Sequence, residues 1–232
     1  MPAESPSQIY SKRLVNPVPI PHARSRRRAD SIVVLDFETT GLSPNLGDRT
    51  IEVGAVRLEK GEVTDKFQSL MNPGIRISSF IESFTGISNE MLEDAPSCND
   101  VMLEFRGFLR ESDLVAHNAS FDRRFLDSEM NLIRRTYRGE FICSMLTARR
   151  IYQDAPNHRL GTLVTYKNIA NEGVYHRALA DAEMTADLWL GMLSEITETY
   201  GFDRITVELM KKLSRTPKKR VDKLLARQSL EP

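Results

Sequence analysis

The sequence has few cysteines and no long apolar run, and each absence excludes a class of protein. Cys98 and Cys143 are the only cysteines, too few for a disulfide framework and without the spacing of a zinc site. We therefore expect two small buried thiols in a reducing cytoplasm. The chain also lacks an apolar run that could span a bilayer and the apolar segment of a signal peptide, which predicts no membrane association. With 41% hydrophobic residues among 232, the chain can bury one sizeable core.

The formal net charge is zero, but the charges are unevenly distributed along the chain. Residues 1–30 carry six Lys or Arg and two acids, and residues 204–232 carry nine and three. The middle is therefore acidic, with 17 basic and 27 acidic residues. A simple nucleic-acid binder usually shows a basic face. An acidic middle instead fits a site that gathers carboxylates around metal ions, with basic ends that contact anions.

Composition divides the chain into three parts. Residues 1–30 are rich in Pro, Ser and Arg without apolar periodicity, and we expect a mostly disordered leader. Residues 31–203 form the predicted folded domain, and residues 204–232 a basic helical tail. In this tail "TPKKRVDKLLARQ" predicts a helix with Thr216 as N-cap and Pro217 at its first position. The tail could bind phosphates, bind a protein partner or simply be solvated, and the sequence leaves these alternatives open.

The apolar patterning predicts an α/β fold. A strand over 31–38 and two alternating segments on both sides of Lys60-Gly61-Glu62 indicate an antiparallel three-strand meander. Helices capped by Ser88 and near Ser97 follow, and then the short strands "DLVAH" and "EFICS" alternate with helices, one of them starting at Ser120. Further helical segments are predicted near 144–152, 160–169 and 177–199. This order of elements predicts a mixed sheet of antiparallel and parallel strands that is flanked by helices.

The stretch "IVVLDFETTGL", residues 32–42, reads as a buried strand that carries two carboxylates. Side chains alternate along a strand, so Asp36 and Glu38 share a face and lie about 6.6 Å apart along the chain. Without a cation between them they would repel, and one would stay protonated. The following Thr39-Thr40-Gly41 reversal has small residues and free N–H groups, which would let a phosphate approach closely. A strand that simply ends in solvent is the structural alternative.

Two further stretches each contribute one carboxylate. In "HNASFDRRFL", residues 117–126, Asp122 lies in the first turn of a helix, where any acid is favoured. In "HRALADAEMTADL", residues 176–188, Asp181 lies on a strongly periodic helix. His176 would be about 140° around that helix from Asp181, so we expect it on the loop that leads in. Taken singly, each of these residues has an ordinary structural explanation.

Taken together, the three stretches predict a metal centre. A central strand, a helix entered from a second strand, and the last long helix each carry an acid near one end. Ligand sets made of oxygen atoms favour Mg²⁺ or Mn²⁺ over zinc. Two such ions about 4 Å apart can clamp the attacking and leaving oxygens of a phosphoryl group. Cations would also explain how Asp36 and Glu38 can both stay ionised.

The motifs "LDFETTGL", "HNASFD" and "HRALADA", with "TIEVGAV" and "FTGISNEMLEDAP" between them, resemble the exonuclease motifs of the DnaQ-like superfamily in its DEDDh branch. The likeness runs from about residue 31 to 195. It implies a ribonuclease H-like fold and a 3′→5′ exonuclease that releases nucleoside 5′-monophosphates. It also implies a role for each matching residue: Asp36, Glu38, Asp122 and Asp181 as ligands of two Mg²⁺ (or Mn²⁺) ions, His176 as general base, and Thr39, Thr40, Leu42 and Asn118 as substrate contacts, with Leu42 as an apolar wedge.

The wording of "ETTGL" and "FTGI" is closer to the epsilon-type proofreading domain of DNA polymerase III and to polymerase-fused exonuclease domains than to oligoribonuclease. We therefore expect single-stranded DNA 3′ ends as the substrate and a DNA polymerase subunit as a candidate partner. Trimming of RNA stays open, because it depends on contacts to a 2′-OH that a sequence does not display. A non-catalytic module that holds a polymerase or nucleic acid is the rival from another class of function.

Overall fold

A computed structural model of the protein describes residues 27–170 and 176–230. Its centre is one five-stranded sheet in the order β3-β2-β1-β4-β5. The strands are β1 Ile32–Thr39, β2 Thr50–Glu59, β3 Glu62–Leu70, β4 Leu114–Ala116 and β5 Phe141–Cys143. The first three strands form an antiparallel meander, whereas β4 runs parallel to β1 and β5 runs parallel to β4. The predicted mixed sheet is confirmed.

Nine α-helices surround this sheet within the described residues. They are α1 Ser79–Thr85, α2 Asn89–Glu93, α3 Cys98–Leu109, α4 Ser120–Leu132, α5 Ser144–Ile151, α6 Leu160–Tyr166, α7 Ala178–Tyr200, α8 Val207–Arg215 and α9 Val221–Gln228. The predicted caps Ser88 and Ser97 are confirmed, since each side chain accepts a hydrogen bond from the first turn of its helix. Helix α1 has no counterpart in the sequence prediction.

The predicted helix start at Ser120 is confirmed, although Ser120 is not the N-cap, and the predicted N-cap Thr216 is wrong. Helix α4 is preceded by Ala119, which makes no side-chain cap, and Ser120 is its first residue. Asn118 has a left-handed backbone (φ 68°), and its carbonyl accepts a hydrogen bond from Phe121, so the backbone itself makes the turn into the helix. Thr216 ends α8 instead of capping the next helix, because its hydroxyl donates to the carbonyl of Lys212 at 2.8 Å.

The alternation along β1 divides the core between the two faces of the sheet. Val33, Leu35 and Phe37 pack with α3 and α4, whereas Ile32 and Val34 pack with α7 and the C-terminal helices. Asp36 and Glu38 continue the second set, so they face the side that α7 covers. This places the carboxylate pair of β1 beside the helix that carries Asp181.

A glycine allows α7 to lie very close to the sheet. A Cβ atom at Gly54 of β2 would lie 2.0 Å from the backbone nitrogen of Leu179, a distance that no side chain tolerates. The "TIEVGAV" stretch therefore needs glycine at this position so that the first turn of α7 can reach the sheet. Close contact here brings Asp181 up to the end of β1.

The segments at both ends of the described chain pack onto the same body. Residues 1–26 of the predicted disordered leader lie outside the described residues. Ala29, however, is buried, its N–H donates to the carbonyl of Ile205 at 3.0 Å, and its carbonyl accepts from Trp189 Nε1 at 2.8 Å. The described leader residues 27–30 are thus part of the folded body, because these long-range hydrogen bonds hold them.

The C-terminal helices α8 and α9 contribute apolar side chains to the core around Trp189, among them Met210, Leu213 and Leu225. The segment from residue 204 onward thus packs on the domain that the sequence analysis separated from it, as far as Leu225. Within the described ranges, no helix is long and apolar enough to cross a membrane. Both cysteines are free thiols, and Cys98 is buried whereas Cys143 is partly exposed.

Candidate metal centre

The structure brings Glu38, His176 and Asp181 together although they are far apart in sequence. One carboxylate oxygen of Glu38, one ring nitrogen of His176 and one carboxylate oxygen of Asp181 all lie within 4.8 Å of one another. Glu38 and Asp181 are largely buried. The backbone N–H of His176 donates to Asp181 Oδ2 at 3.1 Å, which ties the loop to the first turn of α7. These three groups could hold one divalent cation.

Asp36 and Asp122 complete an acidic cluster around the end of β1. Burial and the negative charges of Asp122, Asp181 and Glu38 raise the pKa of Asp36 well above its ordinary value. Burial, followed by the negative charges of Asp181, Glu52 and Asp122, raises the pKa of Glu38 to about 8. Burial raises the pKa of Asp122 to about 7. The carboxylates can therefore all be ionised at neutral pH only if positive charge enters the cluster.

Asp122 supplies a separate reason to expect a cation. Its Oδ1 atom is buried and has no hydrogen-bond partner among the described residues, although the backbone N–H groups of Asp122 and Phe37 stabilise the carboxylate. A buried carboxylate oxygen without a partner is costly. A set of carboxylate oxygens is the donor set that Mg²⁺ and Mn²⁺ prefer, so the residues present fit a divalent metal site.

A fifth carboxylate, Glu52, lies beside this cluster, and the sequence analysis missed it. Glu52 is paired with Glu38 across the β1–β2 ladder and is fully buried. It accepts hydrogen bonds from Arg177 Nη2 at 2.9 Å, from the backbone N–H of Ala178 at 3.0 Å and from Gln68 Nε2 at 2.9 Å. Glu52 therefore already has its positive partner, and it anchors the start of α7.

His176 occupies the loop position that the sequence predicts, directly before α7. The residue is exposed, and its backbone is left-handed at φ 62°, a conformation in which His is enriched over most residues. Its ring centroid lies 4.0 Å from that of Phe84. The imidazole thus sits at the rim of the acidic cluster, open to solvent and to a substrate. It could take up a proton there or bind a cation.

The predicted substrate residues lie in two turns. The Thr39 hydroxyl donates to the carbonyl of Gly41 at 2.6 Å and the Thr40 hydroxyl to Asp48 Oδ1 at 3.2 Å, so both side chains shape the reversal after β1. Leu42, in that reversal, is 77% exposed. Asn118 is exposed at the turn that leads into α4.

His117 is a structural residue in this turn region. Its Nδ1 lies 2.9 Å from Ser144 Oγ and its Nε2 lies 2.9 Å from the carbonyl oxygen of His158. Burial lowers the pKa of the imidazole to about 4, so the ring is neutral at physiological pH. Both ring nitrogens thus lie at hydrogen-bond distance from protein oxygens, which makes His117 a poor metal ligand.

Two exposed phenylalanines of α1 form an aromatic shelf, defined as Phe80 and Phe84, next to His176. Phe80 is 70% exposed and Phe84 is 48% exposed. Their ring centroids lie 5.9 Å apart with the planes only 13° from parallel. The sequence analysis missed this shelf because the short helix α1 was not predicted. Two large aromatic rings in solvent beside an acidic cluster form a surface on which flat apolar groups can stack.

The raised pKa values predict how the stability of the metal-free protein depends on pH. A carboxyl group whose folded-state pKa is raised stabilises the fold below its ordinary pKa and loses that contribution as pH rises through the folded-state value. For Glu38 and Asp122 that loss continues to about pH 8. We expect the melting temperature in EDTA to fall between pH 6.5 and 9, and Mg²⁺ or Mn²⁺ to restore it. The loss should be on the order of a few kcal/mol, at about 1.4 kcal/mol per pKa unit.

The matched variant for this measurement is Asp122→Asn. It removes one of the carboxyl groups whose pKa is raised and keeps the shape of the side chain. Its melting temperature in EDTA should fall less between pH 6.5 and 9 than that of the wild type. A wild-type melting temperature that is constant over this range without metal would contradict the electrostatic description of the cluster.

The sequence of this chain is similar to those of known proteins over most of its length. A family model described as "Exonuclease" matches residues 33–189. The chain is 39% identical over 166 residues to the PolC-type DNA polymerase III of Caldanaerobacter subterraneus subsp. tengcongensis. It is also 39% identical over 185 residues to that of Bacillus subtilis. These stretches cover 72% and 78% of this chain but only 12% and 13% of the relatives, so the chain spans about an eighth of their length.

The fold is also similar to those of solved nuclease structures. The structure of Exonuclease X in complex with 5′ overhanging duplex DNA matches 78% of this chain and 98% of its own, with a TM-score of 0.61 and 28% identity. The nuclease domain of 3′hExo, a DEDDh family member bound to rAMP, matches 72% of this chain and 92% of its own, with a TM-score of 0.62. The latter is 22% identical and supports the fold alone.

Proposed function

Because this chain belongs to the exonuclease family, as the resemblance of its three motifs implied, we propose that it is a 3′→5′ exonuclease. We propose single-stranded DNA ends as its substrate and nucleoside 5′-monophosphates as its products. The observation that carries the proposal is the convergence of four carboxylates and one exposed histidine at the end of β1, on elements that are otherwise far apart in the sequence. The ribonuclease H-like fold of the neighbouring structures has its counterpart in the mixed sheet.

In this proposal Asp36, Glu38, Asp122 and Asp181 hold two Mg²⁺ (or Mn²⁺) ions. When bound, such ions lower the pKa of a coordinated water and offset charge on a phosphoryl group. The chain keeps the four carboxylates available for this purpose, because Glu52 rather than the cluster pairs with Arg177. The buried, unpartnered Oδ1 of Asp122 and the raised pKa values of its neighbours support the assignment.

His176 is proposed as the general base that takes a proton from the attacking water. Its ring lies within reach of the carboxylates yet remains exposed, which leaves it free to meet a substrate. A loop position allows a small movement once the substrate is bound. The hydrogen bond from its backbone to Asp181 keeps that movement close to the cluster.

The aromatic shelf supports a single-stranded substrate. Bases that are not paired can stack on exposed aromatic rings, and this stacking is tolerant of sequence. Phe84 touches His176, so a base on the shelf would lie beside the proposed general base. The exposed Leu42 offers an apolar contact in the reversal after β1. A base pair would have to open before its bases could use these surfaces.

DNA is proposed over RNA, and a DNA polymerase is the partner to look for. Both proposals rest on the similarity to PolC-type DNA polymerase III proteins. If the chain associates with a DNA polymerase, its location would be the cytoplasm and its role proofreading or repair.

The proposed function is tested by digestion of matched DNA and RNA oligomers with Mg²⁺ or Mn²⁺. With a 3′ label, the labelled mononucleotide should appear first, and with a 5′ label a ladder should shorten by one nucleotide at a time. Single-stranded DNA should be degraded faster than the RNA of the same sequence and faster than a blunt duplex. Faster loss of the RNA would reassign the protein to RNA trimming. Internal cuts, or no cleavage with either metal, would contradict the exonuclease proposal.

A further inference from the structure

Six exposed cations lie on α8, on the turn after it and on α9, and we call them the C-terminal basic surface. Its members are Lys212, Arg215, Lys218, Lys219, Arg220 and Lys223. None of the six forms an ion pair with another residue of the described ranges. Residues 211–223 contain one acid, Asp222, and its Oδ1 already accepts a hydrogen bond from Tyr200 at 2.8 Å. The positive charge of this surface is therefore not neutralised locally.

These cations are held on a fixed framework and not on a loose tail. The apolar sides of α8 and α9 are buried in the core around Trp189. The Thr206 hydroxyl caps α8 by accepting from the N–H of Leu209. The turn between the helices is fixed by Arg150, whose Nε donates to the carbonyl of Thr216 at 3.1 Å. Because the backbone that carries these cations is already ordered, ligand binding costs little backbone conformational entropy.

The chemistry of the surface points to a polyanion. A helix that inserts into a lipid surface needs a free apolar face, and the apolar faces of α8 and α9 are already used by the core. The cores of protein–protein interfaces are depleted of charged residues, whereas this surface offers mainly charge. Closely spaced Lys and Arg, with one acid among them that is already hydrogen-bonded to Tyr200, match the repeated phosphates of a nucleic-acid backbone.

We propose that the C-terminal basic surface binds the phosphate backbone of the nucleic acid on the 5′ side of the 3′ end that is held at the carboxylates. The choice of this polyanion rests on the proposed exonuclease function, because the chain would then meet nucleic acid in every turnover. The acidic cluster itself repels a polyanion until metal ions enter. A separate basic surface would offset that repulsion and keep a long substrate attached between successive cuts.

The length of α7 determines how long a substrate must be to contact both the carboxylate cluster and the C-terminal basic surface. Asp181 lies in the first turn of α7 and Tyr200 is its last residue, so about 28 Å of helix separate them. The Tyr200 hydroxyl donates a hydrogen bond to Asp222, the residue before Lys223. A stacked strand rises about 3.4 Å per nucleotide, so about eight nucleotides would span this distance. A tetranucleotide would reach the carboxylates but not the α9 side of the basic surface.

Deletion of the C-terminal segment is a poor test, because it would remove buried side chains such as Met210 and Leu213. The better variant is Lys218→Gln/Lys219→Gln/Arg220→Gln, which changes only exposed side chains. Binding of a 30-nucleotide single-stranded DNA is measured in EDTA, without hydrolysis, over a range of KCl concentrations. The slope of log K against log salt should become shallower by about 2, since each phosphate contact to a single strand contributes about 0.7.

The matched control is Arg110→Gln/Arg134→Gln/Arg135→Gln, which removes the same charge from three exposed residues. These residues follow α3 and α4, the helices on the opposite face of the sheet from α8 and α9. This control should keep the wild-type slope. The surface variant should bind the tetranucleotide as the wild type does, and it should hydrolyse the p-nitrophenyl ester of thymidine 5′-monophosphate at the wild-type rate with Mn²⁺. These two results would show that the fold and the carboxylate site are intact.

Three outcomes would overturn the proposal: an unchanged slope in the surface variant, an equal change in the control, or an equal loss of binding for the tetranucleotide. An unchanged slope would direct attention to an acidic protein as the ligand of the surface. The exonuclease proposal is tested separately by hydrolysis: it fails if the wild-type protein hydrolyses neither the ester nor the oligomers. The salt slopes, measured without catalysis, would still decide whether the surface binds nucleic acid.

Discussion

Replacement of Asp36 by alanine is expected to abolish exonuclease activity. Asp36 is surrounded by Asp122, Asp181 and Glu38, which makes it the carboxylate best placed to serve both proposed ions. The loss should exceed the factor of about 10²–10³ that follows removal of a single fixed electrostatic donor, because a missing ligand affects the ions as well as the substrate they orient. The measurement is the initial rate of mononucleotide release from a 3′-labelled single strand with saturating Mg²⁺ or Mn²⁺.

Two controls separate loss of the metal centre from loss of the fold. Asp36→Asn keeps the shape of the side chain and should be equally inactive, and its metal-free melting temperature near pH 8 should exceed that of the wild type. Asp65→Asn changes an exposed acid on β3 of the same sheet and should leave the rate unchanged. Cleavage by the wild type that persists in excess EDTA would disprove the metal mechanism.

Replacement of His176 by alanine is expected to lower turnover by about 10²–10⁴, the usual contribution of a positioned general base. The fold should be unaffected, because the side chain is exposed and its ring contact among the described residues is with the partly exposed Phe84. The measurement is the initial rate of mononucleotide release from a 3′-labelled single strand with saturating Mg²⁺ or Mn²⁺, for the variant and the wild type.

The left-handed backbone at His176 requires a second variant. Alanine is strained at φ 62°, whereas asparagine adopts this conformation readily, so His176→Asn tests the imidazole without disturbing the loop. Both variants should bind Mg²⁺ or Mn²⁺ with wild-type affinity in a titration. Weaker metal binding would make His176 a ligand, a role that its position within 4.8 Å of the carboxylates also allows. A metal-saturated variant with the wild-type rate would show that His176 is not the base.

Several features of the fold and the candidate site could be predicted from the sequence because they are local. The two-residue spacing of Asp36 and Glu38 puts them on one face of any strand, and the hairpin at Gly61 and the caps Ser88 and Ser97 depend on a few neighbouring residues. Residue types at fixed spacing also carried the resemblance to the exonuclease family. None of these inferences required knowledge of which distant segments meet.

Other features were decided only by the tertiary structure. Glu52 is neutralised by Arg177, 125 positions further along the chain, and no local pattern shows that these two residues pair while Glu38 stays free. The aromatic shelf reaches His176 because α1, whose short apolar pattern was not recognised as a helix, folds back over the start of α7. The basic C-terminal segment resembles a solvated tail in sequence, yet its apolar residues complete the core around Trp189. Such contacts depend on how loops of many residues close, and the packing of the whole sheet determines that closure rather than the residues on either side of each loop.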